Sequence, residues 1–227
     1  MKIATLVREM HVEPLDSIFS PRMYLSTDLY TMAKELDFEL VAIISGQDCE
    51  EICKLCDGLI VPGSAKDIDP KYYGGEAMDP PQEIDEYALD AKVIDLFVKQ
   101  GKPIFGICGG HQDLNIYFGG SISKIDYDPH QDANKYHEVI AEKDSFVYDV
   151  FGSTDILVNS HHGWAIDRLA PNLRVVARSK KDNVIEAVED RERKIFATQW
   201  HPELSYRMGD PIERKFFENF IRLCANQ

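Results

Sequence analysis

At 227 residues, 44% of them hydrophobic and with a net charge of −14, the chain is long enough to bury a substantial core and too acidic to favour nucleic-acid phosphates or an anionic membrane surface. Five cysteines, an odd number in a chain of this size, do not make a disulfide framework, and the opening M-K-I-A-T-L-V-R holds too short an apolar run for a signal peptide. The class left is a soluble cytoplasmic α/β protein that handles a small molecule, with no nucleic-acid or membrane partner and with its thiols reduced.

Residues 3–7 read as a first buried strand, 24–36 as a helix, 38–44 as a second strand ended by Ser45-Gly46, 50–55 as a short helix, and 59–61 as a third strand. This alternation predicts a parallel sheet with helices on both faces. Cys49, Cys53 and Cys56 fall within it at the C-x3-C-x2-C spacing of radical enzymes that use S-adenosylmethionine. No barrel-like repeat follows, and Cys53 and Cys56 read instead as small apolar residues on a helix face beside Ile52 and Leu55. Pro62-Gly63-Ser64 breaks the third strand. The polar loop A-K-D-I-D-P-K-Y-Y-G-G-E follows, at the carboxyl end of a parallel strand where open α/β sheets bind ligands. Residues 84–100 give the clearest helix, with Ile84, Tyr87, Ala91, Ile94 and Val98 in one stripe and Gly101 as its cap.

Residues 102–112, K-P-I-F-G-I-C-G-G-H-Q, carry the strongest chemical signal. Residues 103–107 suit a buried parallel strand. Cys108 follows at once, flanked two residues away on each side by Gly106 and Gly110, and 113–118 continue as a helix that stops at Gly119-Gly120. Strand, G-x-C-x-G, helix is a nucleophile elbow with sulfur in place of oxygen. The turn is too tight for flanking side chains, and the thiol stands at a helix N-terminus, whose dipole favours a thiolate. A lone cysteine would read as structural; two glycines at symmetric offsets do not.

Residues 121–125 and 136–141 read as strands joined by an acidic loop. Its His130, and His137 beyond it, read as a solvated loop histidine and a strand-edge histidine rather than ligands. Residues 155–159 form another strand, followed by S-H-H-G-W-A. His161 and His162 have no Asp, Glu or Cys at a matching metal-ligand spacing, so the segment reads as a substrate-facing loop and no metal is expected. Residues 173–178, 184–189 and 195–200 suggest a meander beside the parallel sheet. Residues 212–224 form a closing helix with Ile212, Phe216, Phe217, Phe220, Ile221 and Cys224 inward. No repeat, low-complexity segment or linker divides the chain, so one domain over 1–227 is expected.

A cysteine nucleophile needs a partner that takes its proton and later protonates the leaving group. Q-W-H-P-E at 199–203 supplies one: His201 just past a strand, held extended by Pro202, which is read as stopping a helix there. Glu203 two residues on can orient one imidazole nitrogen while the other faces sulfur.

G-I-C-G-G-H-Q, N-S-H-H-G-W-A and Q-W-H-P-E resemble, in order and over nearly the whole chain, the three signature segments of class I glutamine amidotransferase domains. D-G-L-I-V-P-G with D-I-D-P-K-Y-Y-G, V-N-S-x-H, and N-V-I-E-A-V-E before Q-W-H-P-E resemble the γ-glutamyl-γ-aminobutyrate hydrolase branch, peptidase C26. The resemblance implies a flavodoxin-like open, mostly parallel α/β sheet with a small antiparallel extension, and a cysteine hydrolase of γ-glutamyl amides that needs no cofactor. It further implies Cys108 as nucleophile, His201 as base and acid, and Glu203 as its orienting group. The oxyanion donors would come from Gly109 and the Gly63-Ser64 loop. Gln112 and His161, His162, Gly163 and Trp164 would hold the glutamyl α-amino and α-carboxylate groups. The hydrolase branch usually has arginine after the nucleophile, where this chain has Gly109, and a second glycine where it has Ser64; His111-Gln112 is more like the amidotransferase branch. A glutaminase handing ammonia to a partner synthase is the alternative reading, and a homodimer is compatible with either.

Overall fold

The structure, a computed structural model, describes residues 1–10, 22–44, 49–125 and 136–226. Its strands are β1 (Lys2–Leu6), β2 (Arg8–Met10), β3 (Arg22–Tyr24), β4 (Glu39–Ile43), β5 (Gly58–Val61), β6 (Ile104–Ile107), β7 (Ser121–Lys124), β8 (Tyr136–Ala141), β9 (Asp155–Asn159), β10 (Trp164–Arg168), β11 (Arg174–Ser179), β12 (Ile185–Asp190) and β13 (Ile195–Thr198). Its helices are α1 (Thr27–Glu35), α2 (Cys49–Leu55), α3 (Glu86–Lys99), α4 (Gly109–Tyr117), α5 (Phe146–Phe151), α6 (Pro202–Arg207) and α7 (Arg214–Ala225).

Nine of the described strands form one sheet in the order β4-β1-β5-β6-β13-β12-β11-β8-β9. The five from β4 to β13 run parallel. The expected meander continues the sheet from β13 through β12 to β11, and β8 and β9 complete an antiparallel extension. The alternation of strands and helices predicts the parallel part of this sheet, and the flavodoxin-like arrangement with an antiparallel extension is the one the family resemblance implies.

The central strands are apolar because both faces are covered. Ile3 packs in a layer with Leu29 and Met32 of α1, Val147 of α5 and Phe216, Phe217 and Phe220 of α7. Ala4 and Leu6 turn the other way, into a layer with Cys49 and Cys53 of α2, Val93, Ile94 and Phe97 of α3 and Leu114 of α4. Cys53 and Cys56 are therefore core residues, and burial pushes the Cys53 thiol up to about 12.

Several local readings shift. The first helix begins at Thr27 because the Ser26 hydroxyl caps it, accepting from the Asp28 N–H at 3.1 Å; Tyr24 belongs instead to a hairpin with Arg8. Helix α3 turns Glu86, Asp90, Val93 and Phe97 inward beside Tyr87 and Ile94, whereas Ala91 and Val98 are only partly buried. Leu55 and Ile212 are exposed. His137 is no edge residue: β8 lies between β11 and β9, and the buried ring bonds Glu186 Oε1 at 3.0 Å. His130 lies outside the described residues. No helix among the described residues is long and apolar enough to cross a membrane.

Candidate active site

Three adjacent strands end together. Val61 of β5 lies beside Gly106 of β6, and Ile107 beside Thr198 of β13. Hence Pro62-Gly63-Ser64, Cys108 and Gln199-Trp200-His201 leave the sheet at one edge, where open parallel sheets place their ligands.

Cys108 links β6 to α4 with φ +52° and ψ −102°. Side-chain-bearing residues rarely adopt positive φ, and such strain persists only where the surroundings hold it. Here backbone packing holds it. A Cβ on Gly110 would stand 2.1 Å from the Val61 carbonyl oxygen, and one on Gly106 would stand 2.7 Å from the Gly110 carbonyl oxygen. Strand and helix thus meet backbone to backbone at the bend, as the G-x-C-x-G pattern requires. The helix begins at Gly109, four residues before the sequence periodicity becomes helical.

His201 reaches the same point from β13. Its Cε1 and the Cys108 Cβ flank Gly63: a Cβ on that glycine would lie 3.2 Å from the first and 3.4 Å from the second. Nδ1 of His201 bonds Glu203 Oε1 at 2.7 Å, and Nε2 is buried without a hydrogen bond of ordinary geometry. Burial opposes a charged ring, but the Glu203 carboxylate and the Cys108 sulfur outweigh it and raise the His201 pKa well above the ordinary imidazole value. Pro202 does not stop a helix. It opens α6 as the first helical residue, where its missing N–H costs nothing, while His201, with φ −109° and ψ 85°, stays out of the helical region that a following proline disfavours.

Two positioning residues are not evident from the sequence. Asn159, at the end of β9, receives the His201 N–H at 2.9 Å and donates to the His201 carbonyl at 2.7 Å and to Ser205 Oγ at 2.8 Å, so it grips the histidine on both sides. Gln199, fully buried, turns its Nε2 to the Cys108 sulfur at 3.6 Å. Its Oε1 accepts from Gln112 Nε2 at 3.2 Å and lies 3.3 Å from His111 Nδ1. Burial lowers His111 to about 4, so the ring is neutral, and against a carbonyl acceptor its proton sits on Nδ1. The V-N-S-x-H and Q-W-H-P-E patterns contain both residues, but nothing local reveals their partners.

The sequence-predicted residues line one cavity of about 640 Å³, which includes Gly63, Ser64, Cys108, Gly109, Gln112, His161, His162, Gly163, Trp164, His201 and Glu203. The Gly109 backbone approaches the Gly63-Ser64 loop so closely that a Cβ there would stand 2.9 Å from Ser64 N. The His161 carbonyl lies 3.8 Å from the Cys108 sulfur, although its ring is exposed. The Trp164 carbonyl accepts from Gln112 Nε2 at 3.0 Å and lies 3.0 Å from His162 Nδ1. Trp164 Nε1 donates to Asp67 at 2.8 Å, tying the polar loop after Ser64 to β10 as one wall of the cavity. On the far side Leu25, Ser26, Asp28 and Leu204 close it.

The sequence profile of the family described as Peptidase C26 matches residues 21–203. The chain belongs to the peptidase C26 family. The γ-glutamyl-γ-aminobutyrate hydrolase PuuD of Escherichia coli K12 is 30% identical to this C26 protein over 193 residues, 78% of this chain and 75% of that one. Protein NtpR of Enterococcus hirae is 32% identical over 185 residues, 73% of this chain and 74% of its own. The crystal structure of a putative GMP synthase subunit from Thermoplasma acidophilum superposes with a TM-score of 0.70 at 24% identity, covering 99% of this chain and 94% of that one, and so shares the fold. This C26 chain is accordingly a glutamine amidotransferase-like hydrolase.

Proposed function

We propose that this C26 enzyme cleaves the γ-amide bond of γ-glutamyl-amine conjugates, such as γ-glutamyl-γ-aminobutyrate, through a thioester on Cys108. The observation that carries the reading is the sulfur on a strained elbow beside the His201–Glu203 pair, opening on a cavity of about 640 Å³. The Cys108 thiolate attacks the γ-carbonyl carbon and the carbonyl electrons move to oxygen. N–H groups of Gly109 and of the Gly63-Ser64 loop receive that oxyanion, each worth about 3–4 kcal/mol in comparable sites. The intermediate collapses, the C–N bond breaks, and imidazolium His201 gives its proton to the departing amine. Water, deprotonated by the now neutral His201, attacks the thioester and releases glutamate and the thiolate. Glu203 fixes the ring tautomer and stabilises the imidazolium. Gln112 and the 161–164 segment hold the glutamyl α-groups. Similarity to γ-glutamyl-γ-aminobutyrate hydrolases of Escherichia coli supports this substrate class.

A second reading, a glutaminase that delivers ammonia to a synthase, is favoured by the His111-Gln112 pair and by 31% identity to a putative glutamine amidotransferase-like protein, YvdE of Lactococcus lactis. Purified chain incubated with glutamine, γ-glutamyl-aminobutyrate and γ-glutamyl polyamines separates the two. Glutamate release from the amine conjugates by the isolated chain is the expected result. Turnover of glutamine alone, rising with a second protein, would replace the first reading with the second.

A further inference from the structure

Arg8, the first residue of β2, is 2% exposed, yet it does not close its fork on one carboxylate. Nε donates to the Gly63 carbonyl at 3.1 Å, Nη2 to the Pro62 carbonyl at 2.7 Å, and Nη1 to Asp90 of α3 at 2.9 Å. The two carbonyls belong to the peptide units whose N–H groups are those of Gly63 and Ser64. Both units are trans, since the cis bond among the described residues is Asp79-Pro80. In a trans peptide the C=O and N–H point in opposite directions. Carbonyls pinned to Arg8 therefore aim the two N–H groups away from it, to the side where Gly109 approaches Ser64 N and where Cys108 and His201 flank Gly63.

We propose that Arg8 is the positioning residue of the oxyanion hole: it fixes the orientation of the Gly63 and Ser64 peptide units and, as a cation behind both carbonyls, makes their N–H groups stronger donors. The proposal rests on the acyl-transfer chemistry assigned to Cys108. Hydrogen bonds in series polarise one another, so a guanidinium on the carbonyl end strengthens the N–H end. The surrounding residues make this a built device. Glu86 accepts from Ser64 Oγ at 2.6 Å and from the Glu9 N–H at 2.6 Å, which clips the same loop to β2. Asp113, on α4 five residues past the nucleophile, lies 3.8 Å from Arg8. Asp90, 2.7 Å from Nη1, is the nearest carboxylate to the guanidinium, and burial raises the pKa of both Asp90 and Asp113. Lysine, with a single donor centre, cannot span two carbonyls and Asp90 at once.

The test compares wild type with Arg8→Lys by two reactions of the same sulfur. Single-turnover acylation by p-nitrophenyl acetate builds an oxyanion; alkylation by iodoacetamide does not. Arg8→Lys is expected to slow acylation about 100-fold, the loss typical of one oxyanion donor, while alkylation stays within about twofold of wild type. If Arg8→Lys does not fold, the charge-free pair Arg8→Met with Asp90→Asn carries the same expectation. Equal loss of both rates, loss of neither, or a wild-type thiol that is alkylated but not acylated overturns the proposal. Neither reagent is a γ-glutamyl compound. Wild-type acylation without glutamate release from the conjugates would therefore sink the substrate reading alone.

Discussion

The charge state of one imidazole decides how the site works. Although burial opposes it, Glu203 and the Cys108 sulfur raise the His201 pKa well above the ordinary imidazole value, and in the proposed mechanism the leaving amine takes the imidazolium proton. Activity should therefore persist above the ordinary imidazole pKa and fall as pH rises through the raised value. Glu203→Gln removes the carboxylate that raises it, so the alkaline limb of the kcat/KM profile should move to lower pH, with kcat reduced by up to about 10⁴-fold. An alkaline limb that does not move would separate Glu203 from His201. Asn159→Ala tests the grip on the histidine backbone: it leaves the partly buried N–H and C=O of His201 without that partner. A stability loss of about 1–3 kcal/mol is expected from urea unfolding, with kcat falling more than KM rises.

Among the elements, the elbow and α7 make the sharpest demands. Gly110→Ala would drive a Cβ against the Val61 backbone, which only a shift of α4 from β5 can relieve. The expected cost is about 1–3 kcal/mol in thermal or urea melts, together with loss of Cys108 acylation. At the start of α7, burial pushes Glu213 up to about 7 while its carboxyl accepts from Trp200 Nε1 at 2.9 Å. The unfolded chain gives up this proton near 4.5, the folded chain near 7. Between those values the folded state holds more protons, so stability falls as pH rises across that window, by about 3 kcal/mol at most. Glu213→Gln keeps an acceptor for Trp200 and should flatten that decline; an unchanged Tm-versus-pH curve would exclude it. The buried strands and the elbow are legible in sequence because apolar runs and paired glycines are local signals. The β2–β3 hairpin is not, because R-E-M and R-M-Y are three residues each, too short to show a strand period. Glu86 and Asp90 escape the apolar stripe of their helix because a charged residue looks exposed until its partner, Arg8, is known to lie opposite. Pro202 reads as a stop, yet the same ring serves equally as the first residue of a helix.

Across the whole molecule, the parallel order β5-β6-β13 brings the Gly63-Ser64 loop, Cys108 and His201 from three distant stretches of chain to one edge. The sequence motifs single out all three stretches. Their support, from Arg8, Asn159 and Gln199, depends on contacts tens of residues apart that no spacing rule carries. In the proposed function this edge performs acyl transfer through Cys108. The most direct measurement is mass spectrometry of the enzyme acid-quenched during turnover of γ-glutamyl-aminobutyrate, with peptide mapping. One glutamyl acyl group on the Cys108 peptide of wild type, absent from Cys108→Ala, is the expected result. Glutamate release by Cys108→Ala at the wild-type rate would contradict it.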